Sequence, residues 1–127
     1  MLVSAVIADG PPRRVLQAIR DGHAELILPK PALQELKRVL RVKLQLEDGT
    51  ASSIAALVEG LATVIADPPA EVAPLSGDPD DDRIIAAALA GGAETLVSGD
   101  RKHVLLLGHV GTMRIMRPQD LLQNITD

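Results

Sequence analysis

Short apolar segments alternate with amphipathic helical segments along this chain, and this alternation constrains the fold more than any other feature. Short strands are predicted at residues 25–28, 64–66, 95–98 and 113–116. Apolar residues at helical spacing occupy most of the sequence between them. This order predicts a three-layer α/β domain, with helices on both faces of a short, mainly parallel sheet.

Helix boundaries are predicted from the residues that commonly start and stop helices. Pro11, Pro31 and Pro118 are placed to open helices, because proline is favoured in the first helical turn. Residues 2–8 fit either a strand or a short helix. One helix, capped by Thr50, is predicted to have an apolar face of Ile54, Leu57, Val58 and Leu61. Another helix, starting at Asp81 or Asp82, is predicted to direct four side chains toward the core: Ile84, Ile85, Ala88 and Leu89.

The composition limits what this single 127-residue domain can bind. The chain has no Phe, Tyr or Trp, which excludes base stacking on aromatic side chains. Its net charge of −4 leaves nucleic-acid binding to a local basic patch or a metal ion. Without cysteine there are no disulfides or thiolate metal sites. No apolar run approaches the roughly 20 residues that span a bilayer, so a cytoplasmic protein without a membrane partner is predicted.

The densest charge feature is Asp78-Pro79-Asp80-Asp81-Asp82, directly before a predicted helix. Acidic residues favour helix starts through capping and the helix dipole, so a purely structural role remains open. One or two acids suffice for a cap, however. Crowding more of them disfavours ionisation, and a bound divalent cation would relieve that repulsion.

Two further carboxylates are candidates for the same cation site. Asp100 follows Ser98 at the carboxyl end of a predicted strand, where ligands bind in open α/β sheets, although an ordinary turn is the alternative. Glu35 lies at the border of its helix's apolar face, where a solvated Glu is also common. If these elements meet, Glu35, Asp82 and Asp100 would suit Mg²⁺ or Mn²⁺, which can activate water against a phosphate.

Basic residues near Glu35 are candidates for binding a phosphate backbone. Arg38 and Arg41 lie off the helix's apolar face, together with Lys37 and Lys43, and a merely solvated face is the alternative. The histidines have no zinc-ligand spacing. There is also no glycine-rich phosphate loop.

An ordered set of motifs covers nearly the whole chain: Leu2-Val3-Ser4-Ala5, Gly10-Pro11-Pro12, Glu25-Leu26-Ile27-Leu28, Pro31-Ala32-Leu33-Gln34-Glu35-Leu36 with Val39-Leu40, Asp78-Pro79-Asp80-Asp81-Asp82, Leu96-Val97-Ser98-Gly99-Asp100, and Ile115 and Pro118 with Leu121-Leu122. This set resembles the PIN-domain family, in particular the toxin components of bacterial toxin–antitoxin systems. Each motif is weak alone, and the order makes the set fairly specific.

The resemblance implies an α/β/α fold and a metal-dependent ribonuclease that uses Mg²⁺ or Mn²⁺. It implies Glu35, Asp82 and Asp100 as catalytic residues and metal ligands, with Asp81 as a further ligand. Ser98 stands where the family often has Thr or Ser, and residues 2–8 are implied to be helical. RNA and an antitoxin protein are the implied partners.

The chain departs from the family pattern at its start. Family members begin with a strand that ends in Asp-Thr-Asn, and Met1 takes the place of the Val that follows. The resemblance therefore implies a sheet without its first strand, a translation start upstream of Met1, and a weak or inactive 127-residue form. A homo-oligomer is expected to cover the gap.

Two hypotheses about function follow, a ribonuclease and a non-catalytic partner-binding remnant. The missing first acid favours the remnant for the chain as written. A receiver-type phosphoryl-transfer domain is discounted, because its acidic pair should follow the first strand.

Overall fold

Helices surround two short sheets in the computed structural model, which describes residues 1–99 and 104–126. The helices are α1 (Leu2–Ile7), α2 (Pro11–Arg20), α3 (Lys30–Arg38), α4 (Asp48–Gly60), α5 (Pro79–Ala90) and α6 (Pro118–Thr126). A π-helical turn continues α3 through Val39–Lys43, and a 3-10 turn spans Leu105–Leu107. The strands are β1 (Leu26–Pro29), β2 (Ala62–Ala66), β3 (Thr95–Val97), β4 (His109–Val110) and β5 (Met113–Met116). The α/β class is as predicted.

The strand pairings are mainly parallel, but they form two sheets instead of one. β1 pairs in parallel with β2, and β3 pairs in parallel with β5. The two-residue strand β4, which was not predicted, is antiparallel to β5. Within the described part of the chain, β1 and β3 are not hydrogen-bonded neighbours. The sheet is therefore interrupted between them.

The core is aliphatic, as the composition requires. Helix α3 and its π-helical extension turn Leu33, Leu36 and Leu40 toward α4, at the three- and four-residue spacing of one helical face. Small residues on α4 let the helices approach closely. This cluster contains Leu28, Leu33, Leu36, Leu40, Ala51, Ala55 and Val58. A second cluster contains Ile85, Ala88, Val104, Met113 and Ile115.

The predicted face of α4 is wrong in part. The helix begins at Asp48, so Thr50 lies inside it and does not cap it, and it ends before Leu61. Leu57 is 73% exposed. At about 100° per residue, the buried face of Ala51, Ala55 and Val58 leaves position 57 pointing away from the core. Leu89 on α5 is likewise more exposed than predicted, at 39%.

Glycine at position 91 lets the end of α5 lie against the first sheet. A Cβ at this position would come 2.7 Å from Ile27 Cγ2 and 2.9 Å from the Cβ of Ala66. Any larger residue would have to push α5 away from β1 and β2. This contact fixes the helix whose first turn carries the acidic run.

Candidate active site

Helices α3 and α5 enclose a small cleft of about 270 Å³. Helix α3 contributes residues at three- and four-residue spacing, which place them on one face. Helix α5 and the residue before it contribute most of the acidic run. The cleft is lined by Pro31, Gln34, Glu35, Arg38, Asp78, Asp80, Asp81, Arg83 and Ile84. The structure thus brings the predicted Glu35 and Asp81 together.

One residue of the acidic run is the helix cap. Asp78 is the N-cap of α5, and its Oδ1 accepts a hydrogen bond from the backbone N–H of Asp80 at 2.8 Å. Pro79 follows at the first helical position, where a missing N–H has no cost. Helix capping therefore explains Asp78, whereas Asp80, Asp81 and Asp82 in the first turn need another explanation.

Asp82 is buried and holds the loop that precedes α5. Its Oδ1 accepts hydrogen bonds from the backbone N–H of Leu75 at 3.1 Å, the N–H of Ser76 at 2.7 Å and the Ser76 hydroxyl at 2.7 Å. Burial raises the pKa of Asp82, but the hydrogen bonds from Ser76 and Leu75 outweigh it and hold the pKa below its usual value. Asp82 lines neither the α3–α5 cleft nor the larger cavity beside it.

The larger cavity has a volume of about 800 Å³ and is lined by both β1 and β3. Glu35 and Asp81 line this cavity as well as the cleft. Both carboxylates also act on the terminal amino group of Met1. Burial lowers the pKa of that amine, and the negative charges of Glu35 and, to a smaller extent, Asp81 partly oppose this shift. Met1 and both carboxylates line this one cavity.

Ser98 is the third predicted residue at the larger cavity. It follows β3, and its backbone N–H donates to the carbonyl of Met116 at 3.0 Å. That bond fixes the end of the strand at the cavity wall. Asp100, predicted as a catalytic residue and ligand, lies outside the described residues.

The arginines at the cleft differ from those predicted. Arg38 lines the cleft with Arg83, and neither makes an ion pair with another described residue. Arg41 lies away from both cavities, and its Nε donates to the carbonyl of Lys37 at 3.4 Å. Arg83 was not among the residues predicted from the sequence. The signal was its position three residues after Asp80, which puts both on the same side of α5.

Two carboxylates are a partial ligand set for a hard divalent cation. Mg²⁺ commonly uses one or two protein carboxylates and keeps several waters, so Glu35 and Asp81 fit it. The described residues contain no group of three Asp, Glu, His or Cys side chains that could hold a metal ion. A third protein ligand would therefore have to come from outside the described residues.

The fold and this cleft define an α/β domain with acidic residues and two arginines at a cleft between helices. The chain belongs to the PIN-domain family, since a family model described as PIN domain matches residues 1–102. PIN domains are nuclease-type domains and generally depend on divalent metal ions. No curated protein and no solved structure matches this chain. None of the described helices is long and apolar enough to cross a membrane.

Proposed function

We propose that this protein is a metal-dependent ribonuclease of PIN type and the toxin of a toxin–antitoxin pair. The observation that carries the proposal is the presence of Glu35 and Asp81 at the same cleft in a chain of the PIN family. Two arginines at that cleft add the positive charge that binding an RNA backbone requires.

The proposed residue roles differ from those taken from the sequence at Asp82, Arg41 and Arg83. Glu35 and Asp81 would hold Mg²⁺ or Mn²⁺, with Asp100 as the predicted further ligand and catalytic residue. Asp82 was predicted to be a ligand and a catalytic residue, but one of its oxygens is engaged by Leu75 and Ser76. The proposal therefore gives Asp82 the role of fixing the start of α5, so that Asp81 is held toward the cleft.

A bound divalent cation supplies a Lewis acid and lowers the pKa of a coordinated water. Arg38 and Arg83 would bind phosphate oxygens and compensate the charge of the RNA backbone. The predicted contact of Arg41 would be a peripheral one, because this residue lies outside the cleft. Ser98 would offer its hydroxyl to the substrate from the end of β3.

Calorimetric titration with Mn²⁺ tests the metal site. Glu35→Gln and Asp81→Asn should each weaken Mn²⁺ binding by about tenfold or more, because each removes a charged oxygen ligand. Glu59→Gln is the matched control, since Glu59 is exposed on α4 and lines neither cavity. Equal affinities in all three variants and the wild type would contradict the assigned site.

The second candidate function is a non-catalytic domain that only binds a partner. The absence of a three-residue ligand group among the described residues favours it. Cleavage of single-stranded RNA in the presence of Mn²⁺ separates the two. Cleavage that Glu35→Gln abolishes supports the nuclease. Binding of Mn²⁺ without cleavage, at any RNA concentration, supports the partner-binding domain.

The toxin role rests on the resemblance of the chain to toxin components and needs its own test. Such a toxin would act on cytoplasmic RNA, would be bound by an antitoxin protein and is expected to be a homo-oligomer. Induced expression in bacteria should arrest growth, and Glu35→Gln should relieve the arrest. Light scattering that gives the monomer mass of 13.4 kDa at high concentration would exclude the homo-oligomer.

A further inference from the structure

The cleft between α3 and α5 contains a second pair of polar side chains beside the proposed metal ligands. Gln34 and Asp80 line the cleft and immediately precede Glu35 and Asp81 on the two helices. Glu35 and Asp81 also line the larger cavity, whereas Gln34 and Asp80 do not, so the second pair lies away from that cavity. Both side chains are exposed, and neither makes a hydrogen bond or an ion pair with another described residue. They are therefore available to a ligand.

The chemistry of this pair suits an uncharged ligand group. The carboxylate of Asp80 accepts hydrogen bonds only, and it repels a phosphate. The phosphate is better matched by the two arginines at the same cleft, Arg38 and Arg83. In an RNA chain, the uncharged group beside each phosphate that offers several hydrogen-bond donors is the base. Gln34 and Asp80 are therefore suited to bind a nucleobase.

The size and the walls of the cleft suit one unstacked base. Its volume of about 270 Å³ lies near the lower limit for ligand pockets, about 300 Å³, so it can take one nucleotide. Pro31 and Ile84 add apolar surface that can contact the faces of the base. Proteins that recognise RNA sequences mostly bind bases that are unpaired and turned out of the stack. Single-stranded RNA is therefore the form that fits this cleft.

Guanine is the base whose edge complements an acid beside an amide. Its N1–H and N2–H groups are adjacent donors, which match the two oxygens of the Asp80 carboxylate. Its O6 is an acceptor, which matches the side-chain N–H₂ of Gln34. In adenine, cytosine and uracil an acceptor lies beside the donor on this edge, and it would face a carboxylate oxygen. A carboxylate at this position therefore favours guanine over the other three bases.

We propose that Gln34 and Asp80 select guanine in single-stranded RNA. The carboxylate of Asp80 accepts hydrogen bonds from N1–H and N2–H, and the amide of Gln34 donates one to O6. This inference rests on the proposed ribonuclease and names its substrate, because the selected guanosine is the nucleotide beside the phosphate at which the RNA is cleaved.

Nucleoside binding tests the selection of the base without a metal ion, a phosphate or cleavage. In NMR titrations with EDTA present, guanosine should bind about tenfold or more tightly than adenosine. Asp80→Asn should abolish this preference, because an Asn amide presents a donor beside its acceptor and matches adenine. Asp78→Asn is the matched control and should keep the preference. It removes the same charge from the same cleft, and Asn caps a helix as well as Asp does.

A change at the amide tests the other half of the pair. Gln34→Glu should weaken guanosine binding by about tenfold, because a carboxylate would face the O6 acceptor. Gln17→Glu should leave it unchanged, since Gln17 is exposed on α2 and lines neither cavity. Equal binding of guanosine and adenosine by the wild type would overturn the proposal. Loss of the preference in Asp78→Asn as well as in Asp80→Asn would overturn it too, by showing that only the charge of the cleft matters.

RNA cleavage separates this inference from the proposed ribonuclease. With Mn²⁺, an oligouridine that carries one central guanosine should be cut beside the guanosine. The same oligonucleotide with adenosine should be cut about tenfold more slowly there, and Asp80→Asn should remove this difference. A guanosine preference in the titrations without any cleavage would support the base site and contradict the ribonuclease. Cleavage at the same rate beside all four bases would support the ribonuclease and overturn the base site.

Discussion

Replacing Asp82 with Asn should destabilise the protein although the side chain keeps its size and shape. Asp82 is 6% exposed, and one oxygen accepts three hydrogen bonds from Leu75 and Ser76. An amide oxygen can still accept these bonds, but without charge. Hydrogen bonds to a charged group contribute about 1.5–3 kcal/mol and neutral ones about 0.5–1.5 kcal/mol.

The expected loss is about 2 kcal/mol, since the three bonds share one oxygen and do not add fully. For a domain of this size the loss corresponds to a fall in Tm of about 7 °C. Asp80→Asn is the matched control on the same helical turn. Asp80 is exposed, so that change removes only a favourable charge at the start of α5, about 0.5 kcal/mol.

The pH dependence distinguishes a charge effect from a packing defect. The folded-state pKa of Asp82 lies below its model-compound value of 3.8, so the stabilisation is complete above pH 3.8 and is lost as the pH falls through the folded-state pKa. Urea unfolding at several pH values should therefore show wild type and Asp82→Asn converging in acid. A constant difference down to about pH 2, or equal stability of Asp82→Asn and Asp80→Asn at neutral pH, would refute this reasoning.

Two other predictions concern packing and RNA binding. Gly91→Ala should lower the free energy of unfolding by about 1–3 kcal/mol, because the added Cβ would collide with β1 and β2. The control Gly60→Ala places its Cβ in open space and should not destabilise the protein. Equal urea midpoints for the two variants would contradict this prediction. Arg38→Ala with Arg83→Ala should reduce the slope of log affinity for single-stranded RNA against log salt by about 0.7 per lost phosphate contact. Arg20→Ala, remote from the cleft, should leave that slope unchanged.

The order of elements followed from local signals in the sequence. Proline at the starts of α2, α3 and α6 and aliphatic periodicity within the helices are short-range properties, so they can be recognised without knowledge of the contacts. The predicted start of α5 at Asp81 or Asp82 was late, because the helix begins at Pro79 after the cap Asp78. The apolar spacing of Pro31–Leu36 put Glu35 at the border of the apolar face of α3, and in the structure this residue lines the cleft.

The tertiary structure alone decided that Asp81 lines the cleft and Asp82 does not. Adjacent helical residues differ by about 100° in direction, so Asp81 and Asp82 point to different surroundings, and sequence cannot set that angle. The backbone N–H groups of Leu75 and Ser76 donate hydrogen bonds to Asp82, whereas Glu35 on α3 and Asp81 line the same cleft. A missing first strand was already implied by the resemblance, whereas only the structure showed that β1 and β3 are not paired with each other within the described residues, because strand pairing depends on contacts between residues far apart in the chain.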